Sequence, residues 1–217
     1  RPFVVLDEDE QLVDDPTAVV GLVGRVAPVG LATRVFMMLG YSYDYGSCGG
    51  FTSHAGDSER VALSLDPWAD GGAGGVRVAI AYTAAHEGTV NDHGRLFPPV
   101  DFGLLEFATD PGTGQPRWVV FASQNKHATY ASVAICEAIS FIPCIDEDCG
   151  PDGVDPGPYT LLFDYVDAGE PDAPHLDDLG VLGFPGESPF ADQPFCGGLG
   201  GTGCSAPVRD KLLVDPF

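Results

Sequence analysis

The chain has 217 residues, 44% of them hydrophobic, which is enough to build a core and excludes a disordered polymer. Its formal net charge of −22, with lysine only at Lys126 and Lys211, disfavours a nucleic-acid partner and attracts cations. The sequence lacks an apolar run of the roughly 18 residues that a membrane span needs, so it predicts no transmembrane segment.

The 29 glycines and 19 prolines favour many turns and few long helices. Residues 16–36 could hold a short helix, which the glycines and prolines there weaken. Segments rich in β-branched and aromatic residues and bounded by Gly, Pro or Asp predict strands at 32–45, 59–65, 76–86, 117–123, 127–135 and 159–166.

These segments predict a mainly β fold, an antiparallel β-sandwich with long disulfide-tied loops. We expect a single domain over 1–217. Its sandwich core covers about 32–135 and 159–166, and a flank rich in Cys, Asp and Gly covers 136–158 and 167–217.

Six cysteines form no CxxC pair and no zinc-finger spacing. Their even number indicates disulfides and a secreted or extracytoplasmic protein, although six cysteines allow 15 pairings. The chain begins at Arg1 without an apolar signal region, as expected of a mature or trimmed secreted product.

Two carboxylates stand at the beginning of the segment 59–65. Because alternate residues of a strand share a face, Asp57 and Glu59 continue the row of Val61, Leu63 and Leu65. Buried carboxylates are costly unless a positive charge compensates them. The row therefore indicates a cation at its polar end.

The next strands predict similar rows. In 76–86, one face carries a row that ends at His86 and consists of Val76, Val78, Ile80 and Tyr82. A weaker row reaches His127 if the strand 117–123 continues through the intervening residues. Strands that end in polar side chains at one edge would form a cleft at one end of a sandwich.

A hard divalent cation fits these donors, with Ca²⁺ or Mg²⁺ preferred over Mn²⁺ or Zn²⁺. The candidate ligands are His54, Asp57 and Glu59, with Asp44 as a fourth. A turn at Gly56 would be needed to bring His54 onto the face of Asp57. A surface turn followed by an ordinary strand is the alternative.

Three short blocks resemble known families. "HAGDSERV" (54–61) is similar to the metal-binding heptapeptide region of the necrosis- and ethylene-inducing-peptide-like proteins, and to the H-x-G-D-W-E block of the vacuolar-sorting-protein-62-related family. "AYTAAHEG" (81–88) and "NKHATYAS" (125–132) are similar to later blocks of these families.

The resemblance implies a central β-sandwich with a divalent cation in an acidic cleft, held by His54, Asp57 and Glu59 and lined by His86. In the necrosis-inducing proteins that cation helps to bind a sphingolipid sugar headgroup. This sequence departs from the pattern at Ser58, where the family has tryptophan, and at Gly56, where it has a second histidine. Both departures weigh against a cytolytic role more than against the metal.

Two other patterns could carry chemistry. "GDS" (56–58) with "DAPH" (172–175) fits a GDS-type serine esterase in which Ser58 attacks, His175 is the base and Asp172 orients it. That enzyme class needs a serine between a strand and a helix, whereas a strand is predicted to follow Ser58.

The segment 146–155 is rich in carboxylates and could hold Ca²⁺, although it lacks the EF-hand register. Its candidate ligands are Asp146, Asp148, Asp152 and Asp155. The alternative is an acidic turn clamped by Cys144 and Cys149. Lys126, beside His127, could be a cation of the cleft, but an exposed lysine is the default expectation.

The sequence therefore predicts a secreted protein whose divalent cation recognises a glycan or a lipid headgroup. The alternative is a metal-dependent hydrolase of a small phosphoester or ester, with His86 or His127 as the acid–base residue. A GDS-type esterase is the third alternative. The oligomeric state cannot be predicted.

Overall fold

A computed structural model of the chain describes residues 21–44, 46, 54–68, 76–84, 94–110, 112–123, 126–138, 147, 149, 166–167, 196–197, 203–204 and 215–217. None of the helices within these ranges is long and apolar enough to cross a membrane. The division of the chain into a sandwich core and a flank stays a prediction.

Strands dominate the described residues. In chain order they are β1 (Gly21–Val29), β2 (Ala32–Asp44), β3 (His54–Asp66), β4 (Arg77–Thr83), β5 (Arg95–Phe97), β6 (Glu106–Thr109), β7 (Pro116–Val119), β8 (Phe121–Ala122), β9 (Thr129–Tyr130), β10 (Val166–Asp167), β11 (Cys196–Gly197) and β12 (Gly203–Cys204). A 3₁₀ helix covers Pro99–Leu104, and a short α-helix, α1, covers Val133–Glu137.

A six-stranded sheet in the order β10-β1-β2-β3-β4-β5 forms the larger layer. All its neighbouring strands are antiparallel except β1 and β10. Two further antiparallel pairs, β6-β7 and β8-β9, follow in the chain. The predicted antiparallel, mainly β fold is confirmed.

The expected short helix in 16–36 is wrong for its described part, which is β1 and the start of β2. Every residue of β1 pairs with β2, from Gly21 opposite Gly40 to Val29 opposite Ala32. The hairpin turns at Gly30, whose φ of 61° lies in the left-handed region that glycine adopts without a steric cost. Pairing with a long neighbour overrides the low strand propensity of glycine and proline in this segment.

The predicted strand at 127–135 is only partly right, because it ends after Tyr130. The hydroxyl of Ser132 accepts a hydrogen bond from the backbone N–H of Ile135 at 3.2 Å, which caps the N-terminus of α1. The cap redirects the chain from β9 into the helix. Of the predicted strand 159–166, the structure describes Val166, in β10.

A bulge breaks the predicted row of Val78, Ile80 and Tyr82. The register between β3 and β4 shifts after Ser64 pairs with Ile80, so that Val78 lies opposite Leu65. Val78 therefore belongs to the other face of the sheet from Tyr82, and it is exposed. The prediction that Val78 shares a face with Ile80 and Tyr82 is therefore wrong.

Both faces of the sheet centre are covered. One face packs Leu63, Ala81 and Phe97 against Trp118 of β7 and Ile135 of α1. This contact places the smaller elements as a second layer over the large sheet, as the predicted sandwich requires.

On the other face, the fully buried Tyr82 contacts two aromatic or cationic neighbours. The Arg60 guanidinium lies 5.0 Å from the centroid of the Tyr82 ring, and Phe217 makes an edge-on contact with that ring at 6.5 Å. A Cβ at Gly94 would overlap the Tyr82 ring, which explains the absence of a side chain at Gly94. The carboxyl-terminal residues therefore contribute to this face.

One disulfide is described, between Cys136 and Cys149, both of which are buried. Among the 15 pairings that the sequence left open, this bond excludes those that join Cys144 to Cys149, so these two cysteines do not clamp the acidic turn by bonding to each other. In the β11–β12 pair, Cys196 lies directly opposite Cys204.

The turn between β6 and β7 depends on Asp110. Its Oδ1 accepts hydrogen bonds from the backbone N–H groups of Gly112 (2.9 Å) and Thr113 (2.8 Å) and from the Thr113 hydroxyl (3.0 Å). These hydrogen bonds favour the charged carboxylate and so hold the pKa of Asp110 below 3.8. The largest effect comes from the backbone N–H of Thr113, and the next largest from the Thr113 hydroxyl.

Because this pKa is lowered on folding, Asp110 stabilises the protein above about pH 4, and the contribution is lost as the pH falls through the folded-state pKa. We expect Asp110→Ala to lower the melting temperature slightly at pH 7 and by less at pH 2.5. Thermal melts of both proteins between pH 2.5 and 7 measure this. A difference that does not vary with pH would contradict it.

Candidate functional site

The predicted cation ligands lie at one end of the β2–β3 pair. Asp44, the last residue of β2, lies directly opposite His54, the first residue of β3. Asp57 lies opposite Tyr41, and Glu59 follows two positions later. The structure therefore brings all four predicted ligands to the same end of one hairpin.

The strand β3 runs without a break from His54 to Asp66, with a constant register against β2 as far as Leu65. Asp57 and Glu59 thus occupy the alternate positions that include Val61. His54, three positions before Asp57, belongs to the other alternate set, so the turn at Gly56 required by the sequence analysis is not found.

Three chain segments meet directly beside Glu59. The pairing of β3 with β4 ends at Val61 and Thr83. Immediately beyond it, the N–H of Ala84 donates to the carbonyl of Arg60 (3.0 Å), and the N–H of Thr129 donates to the carbonyl of Ala84 (2.9 Å). We call this meeting point of β3, the end of β4 and β9 the three-segment junction.

The side chain of Thr129 strengthens this junction. Its hydroxyl lies 3.2 Å from the carbonyl oxygens of both Arg60 and Ala84 and can donate to either. Thr129 is fully buried and Arg60 is 3% exposed. Buried backbone groups that are hydrogen-bonded in this way are held firmly in place.

Each segment of the junction carries a candidate residue within two positions. Glu59 precedes Arg60, and His127 precedes Thr129 by two residues. His86 follows Ala84 by two residues and lies outside the described residues. The structure therefore brings the backbone at Arg60, Ala84 and Thr129 together, and the cleft formed by the three candidate residues stays a prediction.

His127 has an unusual backbone. Its φ of 62° is in the left-handed region, which costs a residue other than glycine roughly 1–2 kcal/mol. Two hydrogen bonds of 2.9 Å hold the loop 123–128: the N–H of His127 donates to the carbonyl of Ser123, and the N–H of Ser123 donates to the carbonyl of Ala128. Such strained residues are concentrated at functional sites.

Lys126, expected to be exposed, is instead largely buried against Glu147. Its Nζ lies 3.3 Å from Oε1 of Glu147, and the two side chains are 11% and 1% exposed. Sequence reasoning missed Glu147, because it lies among four aspartates that were assigned to a calcium loop. The only signal was its position two residues before a cysteine.

The remaining predicted residues divide into two groups. The calcium-loop candidates Asp146, Asp148, Asp152 and Asp155, and the esterase residues Asp172 and His175, lie outside the described residues. Ser58 lies inside β3, opposite Gly40, and this position does not form the strand-to-helix turn of a nucleophilic serine.

Among the side chains that the structure describes, no group of three or more His, Cys, Asp or Glu is placed to hold a metal ion. The side chains of Asp44, His54 and Asp57 are not among them. The chemistry of the predicted donors, two or three carboxylates with an imidazole, fits a hard divalent cation.

Neither protein-family models nor curated proteins match this sequence. Solved structures do show partial similarity. One is a non-toxic HaNLP3 protein (12% identity, TM-score 0.29), of which the match covers 48%, and 49% of this chain. A second is described as a toxin fold for microbial attack and plant defense (17% identity, TM-score 0.29), with 56% of this chain and 59% of that one covered.

A third is NLPPya in complex with mannosamine (14% identity, TM-score 0.31), with 65% of this chain and 73% of that chain covered. The chain thus spans about half the length of the first two structures. These are proteins of the necrosis- and ethylene-inducing-peptide type. The resemblance to the vacuolar-sorting-protein-62-related family stays a prediction.

Proposed function

We propose that this protein binds a divalent cation beside the three-segment junction and uses it to hold a glycan or a lipid headgroup. The observation that carries the proposal is the convergence at Arg60, where the carbonyl oxygen accepts the N–H of Ala84 (3.0 Å) and lies 3.2 Å from the Thr129 hydroxyl. This junction fixes the backbone on which Glu59 and His127 lie.

The proposed ligands are Asp57 and Glu59, which occupy alternate positions on one face of β3. Asp44 and His54 pair at the ends of β2 and β3 in the other alternate set, so they would reach the same cation only around the end of the two strands. Carboxylate oxygens are the preferred ligands of Ca²⁺ and Mg²⁺. The net charge of −22 raises the local concentration of cations around the protein. A bound cation with open positions would accept hydroxyl or phosphate oxygens from a headgroup.

Secretion is part of the proposal. Cytosolic glutathione and thioredoxin keep thiols reduced, so a structural disulfide is typical of an oxidising compartment. The bond between Cys136 and Cys149 is such a disulfide, with the two cysteines 0% and 3% exposed.

The test is cation binding to Asp57→Asn/Glu59→Gln, measured by isothermal titration with Ca²⁺ and Mg²⁺ and by elemental analysis. We expect the cation affinity to fall by at least about 100-fold. Loss of a group that only hydrogen-bonds to a metal ligand lowers metal affinity about 10–100-fold, and loss of the ligands themselves should lower it more. Mannosamine and neutral sugars are then titrated into both proteins in the presence of the cation. A wild-type protein that binds neither cation would refute the proposal.

The matched control is Asp101→Asn/Glu137→Gln, which removes the same two charges at positions away from β3. It should retain the wild-type affinity if site geometry, and not total charge, is responsible. His54→Ala and Asp44→Asn, made separately, show whether the paired ends of β2 and β3 contribute to the same site as Asp57.

His127 favours a second function, a metal-dependent hydrolase of phosphoesters or esters. A calcium site uses oxygen ligands and needs no imidazole. His127 nevertheless lies beside the junction with its backbone in the left-handed region (φ 62°), and its imidazole could act as an acid–base group. His86, three residues after β4 in the sequence, is the other candidate for this role. Turnover of generic phosphodiesters and esters, with and without EDTA, separates this function from binding alone.

A further inference from the structure

The buried pair of Lys126 and Glu147 lies next to His127 and has no role in the function proposed above. The Glu147 side chain is 1% exposed, and within the described residues its Oε2 makes no hydrogen bond. Lys126 is therefore the cation that compensates this buried carboxylate in the described part of the chain. Breaking such a pair from one side leaves a buried charge, which is strongly unfavourable.

Glu147 lies two residues before a covalent link to α1. Cys149, two residues later, is bonded to Cys136 of α1 with a Cα–Cα distance of 6.0 Å. Both cysteines lie in a buried cluster with Ala128 and Tyr130, which flank the same loop. The carboxylate is thus tied to the core on which the loop 123–128 stands.

The loop itself places His127 in an unfavourable conformation. Its backbone hydrogen bonds between Ser123 and residues 127 and 128 close the loop, but they do not fix the side chain of Lys126. The contact of Lys126 with Glu147 holds the end of that side chain, and Lys126 immediately precedes His127 in the chain.

We propose that Glu147 is a positioning residue that, through Lys126, holds His127 in its left-handed conformation at the edge of the three-segment junction. The consequence for binding or turnover rests on the function proposed above. The positioning itself does not.

The experiment compares wild type with Glu147→Gln by two measurements. Acetylation of Lys126, followed by mass spectrometry, reports whether the pair is closed. The imidazole C–H resonances of His127, assigned with a His127→Gln variant, report the position of the histidine. Glu147→Gln is expected to raise the acetylation rate of Lys126 about tenfold and to shift the His127 resonances, because a hydrogen bond to a charged group is lost.

Two further variants separate positioning from general damage. Asp215→Asn removes another ion pair, with Arg34, and should change neither measurement. The exchanged pair Lys126→Glu/Glu147→Lys restores the attraction and should return the His127 resonances toward those of wild type. A merely structural loss would not be rescued in this way.

Two results would overturn the proposal: fast acetylation of Lys126 in wild type, or raised acetylation in Glu147→Gln with unmoved His127 resonances. If Glu147→Gln does not fold, Lys126→Ala/Glu147→Ala removes both charges together. Shifted His127 resonances in this double variant would then support the proposal, and unmoved resonances would overturn it. A wild type that binds no cation would refute the proposed function, while these measurements would still decide the positioning.

Discussion

Replacing Cys136 and Cys149 together by alanine is expected to lower the free energy of unfolding by about 3 kcal/mol, the value for a loop of roughly this length. The link joins residues 13 positions apart and both cysteines are buried, so the loss combines chain entropy with packing. Urea unfolding at pH 7 measures it. Because Glu147 is next to this link, we also expect faster acetylation of Lys126.

The control is the single variant Cys136→Ala. One covalent bond is broken in either case, so the single and the double variants should lose nearly the same free energy. A double variant that loses less than 1 kcal/mol would show that hydrophobic contacts alone hold the segment near Cys149, and that Glu147 needs no covalent anchor.

The strands that the sequence predicted best are those whose alternation is local. The segment 32–45 corresponds to β2, 59–65 lies within β3 but misses its first five residues, and 76–86 contains β4. The errors occur where a partner strand or a side-chain cap determines the secondary structure. β1 is a strand because it pairs along its length with β2, and the strand after His127 is short because Ser132 caps α1.

The candidate site was predictable only in part. His54, Asp57 and Glu59 could be selected because carboxylates and an imidazole precede a core strand. Their neighbours could not, because Thr129 contacts Arg60 across 69 positions, and Lys126 contacts Glu147 across 21. Such contacts depend on how the second layer lies on the large sheet, and no local pattern specifies that.

The coverage of both faces of the large sheet was also not predicted. Alternation places Val61 and Arg60 on opposite faces, and a charged residue between apolar ones normally indicates a solvent-exposed face. Arg60 is nevertheless 3% exposed. Its guanidinium is placed over Tyr82, which Phe217 also contacts, so residues from the far end of the chain contribute to this face.

Tyr82→Ala tests this second covered face. Tyr82 is fully buried, so truncation is expected to cost about 3–5 kcal/mol, the range for buried aromatic side chains. Tyr82→Phe keeps the ring and its contacts with Arg60 and Phe217, and should cost about 1 kcal/mol or less. Both free energies of unfolding are measured by urea denaturation and linear extrapolation to zero urea.

Phe107→Ala is the control, because Phe107 is 54% exposed and its loss should cost well under the value for Tyr82. If Tyr82→Ala were no more destabilising than Phe107→Ala, the face that carries Arg60 would be open in solution. Arg60 would then be free to move away from Tyr82, and the backbone beside Glu59 would lose one of its supports. A large loss at Tyr82 therefore supports both the two-sided core and the rigid strand on which the proposed cation ligands lie.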